Sequence, residues 1–374
     1  MGLIVSSSYF WETTMKNKDV KSNLAFTRRT VLKMAGATVV APSIWIKNAQ
    51  AAQDRVVIRS PGGAYDDIRK KLIYEPFTKE TGIRVVPVAT TTGKLEAMIR
   101  SGNIEIDIID NDDSVLLQWE NELAQLDYQN FKFTDPDDIL PEYRHANYVG
   151  NFVYGDVMGY NTGKFNKESV PKTWTDFWDY KRIAGTRALA DIDTGAPNLE
   201  FALLADGVPM DKLYPLDIPR AFKALSRIKP GVAKFWTSGA LSVQLLSTGD
   251  ADISPVWSTR ILKGIENKAP LAINWNQHGV RVQAYAVLKK SKNQQQAQQL
   301  IDYCLRPEVQ SQFSALWNSG PVTKAGYEAL TAETREKIPG GDRTRDHGFL
   351  IDAGWWSKNR AEVGKEWANW VLNS

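Results

Sequence analysis

The sequence predicts an α/β protein made of two lobes, each a mostly parallel sheet flanked by helices. Short runs of β-branched residues alternate with helical patterns along most of the chain, which is typical of βαβ units. The length of 374 residues suits two or three domains. The sequence contains no internal repeat, no low-complexity tract and no long linker, so we expect two lobes that pack closely together.

The alternation begins in the first third of the chain. Apolar residues at approximately helical spacing, among them Ile68 and Phe77, predict a helix over residues 65–79. A second helix follows Gly93, and a third passes through Leu116. Strands are predicted at residues 55–59, 83–88 and 104–109, and the polar run 110–113 is expected to follow the third strand as a loop.

The same alternation resumes after Phe152 with different lengths. The chain from residue 294 onward is dominated by helical patterns. The predicted helices of the middle part are residues 198–205, 219–228 and 238–246, and the predicted strands are residues 186–190, 252–256 and 281–288.

Residues 1–51 have the layout of an export signal that is cleaved near Ala51. The paired Arg28 and Arg29 precede an apolar run, residues 34–46, and the sequence Ala49-Gln50-Ala51 supplies small residues for cleavage. About 13 apolar residues are too few for the roughly 20 that cross a bilayer. The arginine pair indicates a signal of the twin-arginine type, and we expect a mature periplasmic protein.

The charge balance changes when this leader is removed. The whole chain carries 46 basic and 43 acidic residues, whereas residues 52–374 carry 39 and 41, a net charge of −2. A weakly acidic mature chain does not indicate a nucleic-acid partner, and we expect a monomer. The single cysteine, Cys304, excludes an intramolecular disulfide and is expected to pack as a small apolar residue.

The sequence shows no catalytic constellation, and we predict no catalytic residue, no metal and no cofactor. The three histidines are far apart, and the sequence contains no GxSxG elbow, P-loop or GxGxxG motif. A calcium-loop pattern that starts at Asp191 fails at Ala202, where a bidentate carboxylate is required. The acidic run 107–113 is interpreted mainly as a helix cap, with Asp112 kept as a candidate ligand contact.

Several tryptophans stand next to hydrogen-bonding residues in predicted loops. Trp236 precedes Ser238, and Trp257 precedes Arg260. In open α/β sheets ligands bind beyond the carboxyl ends of the strands, where such loops meet. Aromatic walls with nearby polar groups are suited to small amphipathic solutes.

Nine segments of the mature chain share their order and spacing with one known family. They are residues 75–85, 105–110, 155–161, 171–179, 246–250, 256–260, 275–277, 285–289 and 306–310. Taken together, these segments resemble the periplasmic solute-binding proteins of ABC importers, specifically the spermidine/putrescine-binding-like family. The resemblance implies a two-lobed periplasmic-binding-protein fold of type II, a hinge that closes on a small-molecule solute, and docking on an inner-membrane permease. Lobe 1 would comprise residues 52–155 and about 282–326, and lobe 2 residues 156–281 and about 327–374.

The resemblance also shows a departure that bears on the solute. Where polyamine-binding members carry Trp-x-Asp, this chain has Arg281-Val282-Gln283, and Arg260 follows Trp257. Two arginines and a missing carboxylate favour a solute with a carboxylate or phosphate, which arginine binds bidentately. The alternative for Arg260 is an ion pair between the lobes with Asp112. Iron is not expected, because the chain has no Tyr-Tyr pair.

Eight residues are predicted to line the cleft. The aromatic ones would stack on the solute, Thr92, Ser238 and Gln283 would form hydrogen bonds with it, and Arg260 would meet either an anionic group or Asp112. An exported hydrolase or carbohydrate-active enzyme remains the alternative, since such an enzyme needs only two facing carboxylates. The predicted site residues are Tyr65, Thr92, Asp112, Trp236, Ser238, Trp257, Arg260 and Gln283.

Overall fold

The computed structural model describes residues 55–342 and 344–372, so the predicted export signal lies outside the described residues. Within the described part, nine strands join in one mixed sheet. They are β1 (Arg55–Ser60), β2 (Arg84–Ala89), β3 (Ile108–Asp112), β4 (Val149–Asn161), β5 (Arg187–Ala190), β6 (Val232–Trp236), β7 (Ile253–Trp257), β8 (Leu271–Val287) and β9 (Gly348–Leu350).

Helices cover this sheet. The first helical segment contains a π-helical turn, Lys70–Tyr74, between its two α-helical parts. The α-helices are α1 (Ala64–Arg69), α2 (Glu75–Thr81), α3 (Thr92–Ser101), α4 (Asp113–Leu116), α5 (Trp174–Trp178), α6 (Asn198–Ala205), α7 (Ile218–Ile228), α8 (Gly239–Thr248), α9 (Ser258–Glu266), α10 (Gln294–Cys304), α11 (Pro307–Trp317), α12 (Lys324–Glu328), α13 (Ala332–Arg335) and α14 (Ala353–Leu372).

The sheet follows the order β2-β1-β3-β8-β4-β7-β5-β6, and β9 pairs with β8. The pairs β1–β2, β1–β3, β5–β6 and β5–β7 are parallel, as expected for βαβ units. The two groups of parallel strands are joined by β4 and β8, which pair with each other in antiparallel fashion. We call this pair the crossing ribbon.

The crossing ribbon passes from one hydrophobic core to another. Val149 and Val153 of β4 belong to a first core that also contains β1 and β3. Met158 and Tyr160 of the same strand belong to a second core, which contains α6 and α7. A third cluster, around Trp236 and α8, packs on the other side of the second group of strands. The α/β fold class is therefore confirmed.

Two strands differ from the sequence prediction in position or length. The predicted strand 104–109 begins later, at Ile108, and continues to Asp112, because Asp110 pairs with Tyr285 and Asp112 with Gln283 in β8. These carboxylates lie on a strand and not in the loop that the prediction placed after it. β8 itself starts ten residues before the predicted residue 281.

Candidate functional site

A cavity of about 210 Å³ lies beside the crossing ribbon, at the ends of β3 and β7. Pockets for drug-sized ligands usually have about 300–1,000 Å³, so this cavity suits a compact solute. The lining residues are Arg59, Pro61, Tyr65, Thr92, Asn111, Asp112, Val115, Phe152, Tyr154, Asp193, Thr194, Gly195, Trp257, Thr259, Arg260, Arg281, Gln283, Trp317 and Arg360.

Six of the eight residues predicted from the sequence line this cavity, and two do not. Trp236 is fully buried behind Trp257, with ring centroids 5.7 Å apart, and its indole donates to the Ser254 hydroxyl at 3.1 Å. Ser238 is exposed and caps α8, because its hydroxyl accepts a hydrogen bond from the Leu241 amide. The six lining residues are Tyr65, Thr92, Asp112, Trp257, Arg260 and Gln283.

Aromatic rings form one wall of the cavity. The ring of Tyr65 lies 5.4 Å from that of Trp317 and 6.1 Å from that of Phe152. Further along the wall, Tyr154 and Trp257 meet edge to face at 6.3 Å. Such rings offer apolar surface to the body of a solute and π-faces to a cationic group.

The Tyr65 hydroxyl is occupied by protein groups beneath this wall. It donates to the carboxylate of Asp110, which is fully buried, and burial raises the pKa of Asp110. Gln283 donates to the same carboxylate at 2.7 Å, and Arg69 donates to the Tyr65 oxygen at 3.1 Å. Tyr65 therefore presents its ring to the cavity, while its hydroxyl belongs to a buried network.

Asp112 pairs with Arg281 and not with Arg260. The Arg281 Nη2 and Nε atoms lie 2.7 and 3.0 Å from Asp112 Oδ2, and both residues are buried. Burial alone would raise the pKa of Asp112, but the Arg281 guanidinium outweighs it and the pKa is lowered. The charges of this pair neutralise each other, so neither is available to a solute.

The turn at Thr194 and Gly195 packs against the Arg281 guanidinium. The Arg281 Nη1 atom donates to the carbonyl of Thr194 at 3.3 Å. Gly195 has φ +73°, and a Cβ atom there would lie 2.6 Å from Arg281 Nη2. Position 195 therefore requires glycine for two reasons, which are its left-handed backbone conformation and the close approach of the guanidinium.

Arg260 is the arginine best placed to meet a solute. Its guanidinium carbon lies 5.1 Å from the centroid of the Trp317 ring. Among the described residues it makes neither a hydrogen bond nor an ion pair, and burial lowers its pKa. A half-buried cation without a hydrogen bond or ion pair carries a desolvation cost that an incoming carboxylate would offset.

The charges around the cavity are predominantly positive. Arg59 donates to backbone carbonyls of Thr90 and Asp110, and Arg360 donates to the Ser114 hydroxyl at 2.9 Å. With Arg260 and Arg281 they make four lining arginines, against two lining carboxylates, Asp112 and Asp193. The cavity therefore favours a solute with an anionic group.

Sequence reasoning missed part of this site. Trp317 lies at the end of α11, where helical spacing is typical of a core residue, and Arg360 lies on the C-terminal helix without any local signal. Phe152 and Tyr154 belong to β4, a strand that was not predicted. Asp193 lies in a short 3-10 helix, Ile192–Thr194, that follows the strand predicted at residues 186–190, and that position could have indicated it.

Neither a candidate metal site nor a helix suited to span a membrane is found in the part of the chain that the structure describes. No group of three or more His, Cys, Asp or Glu side chains is arranged to hold a metal ion in residues 55–342 and 344–372. Over the same residues, no helix is both long and apolar enough to cross a bilayer.

The fold and the cavity belong to a known class of protein. Residues 73–339 match the family of bacterial extracellular solute-binding proteins, and the chain is a member of this family. This match supports the predicted solute-binding function over the predicted alternative, an exported enzyme.

Individual relatives agree with this assignment. The γ-aminobutyric acid (GABA)-binding protein of Pseudomonas aeruginosa is 28% identical over 331 residues, which cover 86% of this chain and 92% of the relative. The spermidine/putrescine-binding periplasmic protein of Escherichia coli is 24% identical over 65% of this chain and 71% of its own length. The crystal structure of an ABC transporter substrate-binding protein from Bradyrhizobium japonicum is 30% identical, with a TM-score of 0.78 over 84% of this chain and 99% of that one.

Proposed function

We propose that the protein is the periplasmic solute-binding component of an ABC importer, and that its solute is a small zwitterion of the GABA type. The observation that carries the proposal is Arg260, a half-buried guanidinium that lies over the Trp317 ring in the wall of a small aromatic cavity and makes no hydrogen bond or ion pair among the described residues. A solute carboxylate would complete its hydrogen bonding.

In this proposal Asp193 is the partner of the ammonium group of the solute. Asp193 lines the same cavity, is exposed, and makes no ion pair within the described residues. Its carboxylate and the π-face of Tyr65 or Trp257 would receive an ammonium group. The excess of lining arginines opposes a dication such as putrescine, which would place an ammonium group near Arg260.

The proposal includes a hinge. The lobes would be residues 52–155 with about 282–326, and residues 156–281 with about 327–374, and they would rotate about the crossing ribbon to enclose the solute. The closed form would dock as a monomer on a permease and deliver the solute unchanged. A decrease in the radius of gyration in small-angle scattering when solute is added would support this closure.

Three four-carbon compounds test the solute. GABA, butyrate and putrescine each have four carbons, but butyrate lacks the ammonium group, and putrescine has a protonated aminomethyl group in place of the carboxylate. In calorimetric titrations and thermal melts we expect the affinity order GABA, butyrate, putrescine. A ligand at 100 times its Kd adds about 2.7 kcal/mol of stability.

Several outcomes would contradict the proposal. Tighter binding of putrescine than of GABA would refute the carboxylate assignment, and spermidine is likewise expected to bind weakly. NMR spectra of the solute after incubation should show it intact, and turnover would instead favour an enzyme. Cell fractionation that leaves the mature protein in the cytoplasm would refute the periplasmic assignment.

A further inference from the structure

A second cavity of about 740 Å³ lies on the opposite face of the crossing ribbon. Successive residues of a strand point to opposite faces of the sheet. In β4, Phe152 and Tyr154 line the first cavity, whereas Val153 between them lines the second. We call this second space the back cavity.

The partner strand shows the same alternation. In β8, Arg281 and Gln283 line the first cavity, whereas His278 and Val280 line the back cavity. Val153 lies opposite Val282 in the ladder, a register that places both on the face of the back cavity. The two cavities are therefore separated only by the crossing ribbon, about which we propose that the lobes rotate.

The walls of the back cavity come from both cores. Tyr143 packs against the first core, and Phe349 belongs to the second. An occupant would therefore touch both sides of the hinge. The lining residues are Leu140, Glu142, Tyr143, Val153, His278, Val280, Gly320, Pro321, Lys324, Tyr327, Glu328, Arg335, Pro339, Gly340, Arg345, Gly348, Phe349 and Leu350.

Two arginines supply cationic hydrogen-bond donors to the lining of the back cavity. The guanidinium carbons of Arg335 and Arg345 lie 5.0 and 5.6 Å from the centroid of the Tyr327 ring. Arg335 donates to the Glu328 carbonyl at 2.6 Å, and Arg345 donates to the Gly340 carbonyl at 3.4 Å. No described carboxylate lies within 4 Å of either guanidinium, so both keep free donors.

Arg345 and the remaining charges of this lining, apart from Arg335, are exposed to solvent. Lys324 donates to the Asp137 carbonyl at 3.1 Å, and Glu142 and Glu328 are exposed. Arg335, by contrast, is half-buried, and its Nε atom is inaccessible to solvent and has no hydrogen-bond partner in the structure. Because solvation screens the exposed charges more strongly, the less exposed Arg335 dominates recognition.

We propose that the back cavity binds a small organic anion with an apolar body, whose carboxylate is held by Arg335 and Arg345 and whose body packs on Tyr327, Val153 and Phe349. This site goes beyond the proposed solute site in the first cavity. Guanidinium groups bind carboxylates through charge-assisted hydrogen bonds, and the largely apolar wall accommodates a ring or short chain.

Binding at the back cavity should strengthen binding at the first cavity. Rotation about the ribbon that closes the first cavity opens the space behind it, so a ligand there favours the closed form. Coupling between two sites is reciprocal and is typically 5- to 150-fold. We expect the lower end, about a fivefold decrease in the Kd for GABA.

Benzoate is the probe, and benzamide and benzylamine are its neutral and cationic controls. We expect benzoate to bind the full protein in calorimetric titrations, and both controls to bind at least tenfold more weakly. The double variant Arg335→Gln/Arg345→Gln should lose at least tenfold in benzoate affinity, since two charge-assisted contacts are removed. Arg260→Gln should retain benzoate binding, because Arg260 does not line the back cavity.

Distinct results would overturn this site and the proposed function. No binding of benzoate, equal binding in Arg335→Gln/Arg345→Gln, or loss in Arg260→Gln would refute the back cavity as an anion site. If benzoate behaves as expected but leaves the Kd for GABA unchanged, the coupling is refuted. If GABA fails to bind at all, the zwitterion proposal fails, while the benzoate results still decide the back site.

Discussion

Replacing Arg260 with glutamine is the most direct test of how the solute is held. Glutamine keeps a hydrogen-bonding side chain of moderate length but removes the charge and the paired donors. One hydrogen bond to a charged group contributes about 1.5–3 kcal/mol. We therefore expect the Kd for GABA to rise about 10- to 140-fold, since about 1.4 kcal/mol corresponds to a factor of ten.

Thermal melts without solute give a second, independent measurement of the same variant. Arg260 makes no hydrogen bond or ion pair among the described residues, and burial lowers its pKa, so the desolvation of its charge is offset in the unliganded fold only by the contact with the Trp317 ring. Arg260→Gln should therefore melt at or above the wild-type temperature while binding GABA more weakly. This combination separates a binding role from a general loss of structure.

Two further variants serve as controls. Arg260→Lys keeps the charge but not the planar fork, and it should bind GABA with intermediate affinity. Arg100→Gln removes the same charge from an exposed position on α3, where Arg100 pairs with Glu96 outside the cavity. Unchanged GABA affinity in Arg260→Gln, or equal losses in Arg260→Gln and Arg100→Gln, would refute the reasoning.

Three other substitutions test the surrounding structure. Burial raises the pKa of Asp156 to about 7, so its contribution to the free energy of unfolding is greatest at low pH and decreases by about 4 kcal/mol as the pH rises from about 4 through 7. In thermal melts, the gain in stability of Asp156→Asn over the wild type should be larger at pH 8 than at pH 5. An equal gain at the two pH values would contradict this. Gly195→Ala should lower the melting temperature and the GABA affinity more than Gly82→Ala, because both glycines have positive φ but only Gly195 would clash with Arg281. Tyr65→Phe should lower the free energy of unfolding, measured with denaturant, by about 1–3 kcal/mol, because it removes a donor to a buried carboxylate. The same substitution should change the Kd for GABA less than threefold. A larger change in Kd would indicate that the hydroxyl contacts the solute.

Much of the fold could be predicted because the periodicity of the sequence is strong there. The predicted helix 198–205 coincides with α6, and the predicted strand 186–190 matches β5 within one residue. β4 was missed because it is buried along almost its whole length, so apolar and polar residues do not alternate in it, and because three glycines and Asp156 interrupt its apolar residues. Its structure depends on pairing with β8, which a local pattern does not reveal.

The candidate site was predictable where loops follow strands and less so elsewhere. Trp257 and Arg260 were found because they adjoin the end of a predicted strand, a place where ligands bind in α/β folds. Trp236 was selected because it stands next to Ser238 in a predicted loop, but it ends β6 and packs inward, since its indole finds partners within the protein. The side chain of Arg360 reaches the cavity only through tertiary packing of α14, so no sequence pattern could have placed it there.

The structure changes how the departure at Arg281-Val282-Gln283 should be interpreted. Arg281 adds a charge, but Asp112 neutralises it, and Gln283 donates to Asp110 within a buried network. The departure from Trp-x-Asp therefore changes the cavity by removing a carboxylate at position 283. It does not add a free cation, because the charge of Arg281 is neutralised. The charge offered to a solute then comes from Arg260, which makes no hydrogen bond or ion pair among the described residues, from Arg59 and Arg360, which donate to uncharged groups, and from Asp193 in the same lining. A carboxylate at one end of the solute and an ammonium group at the other would satisfy both.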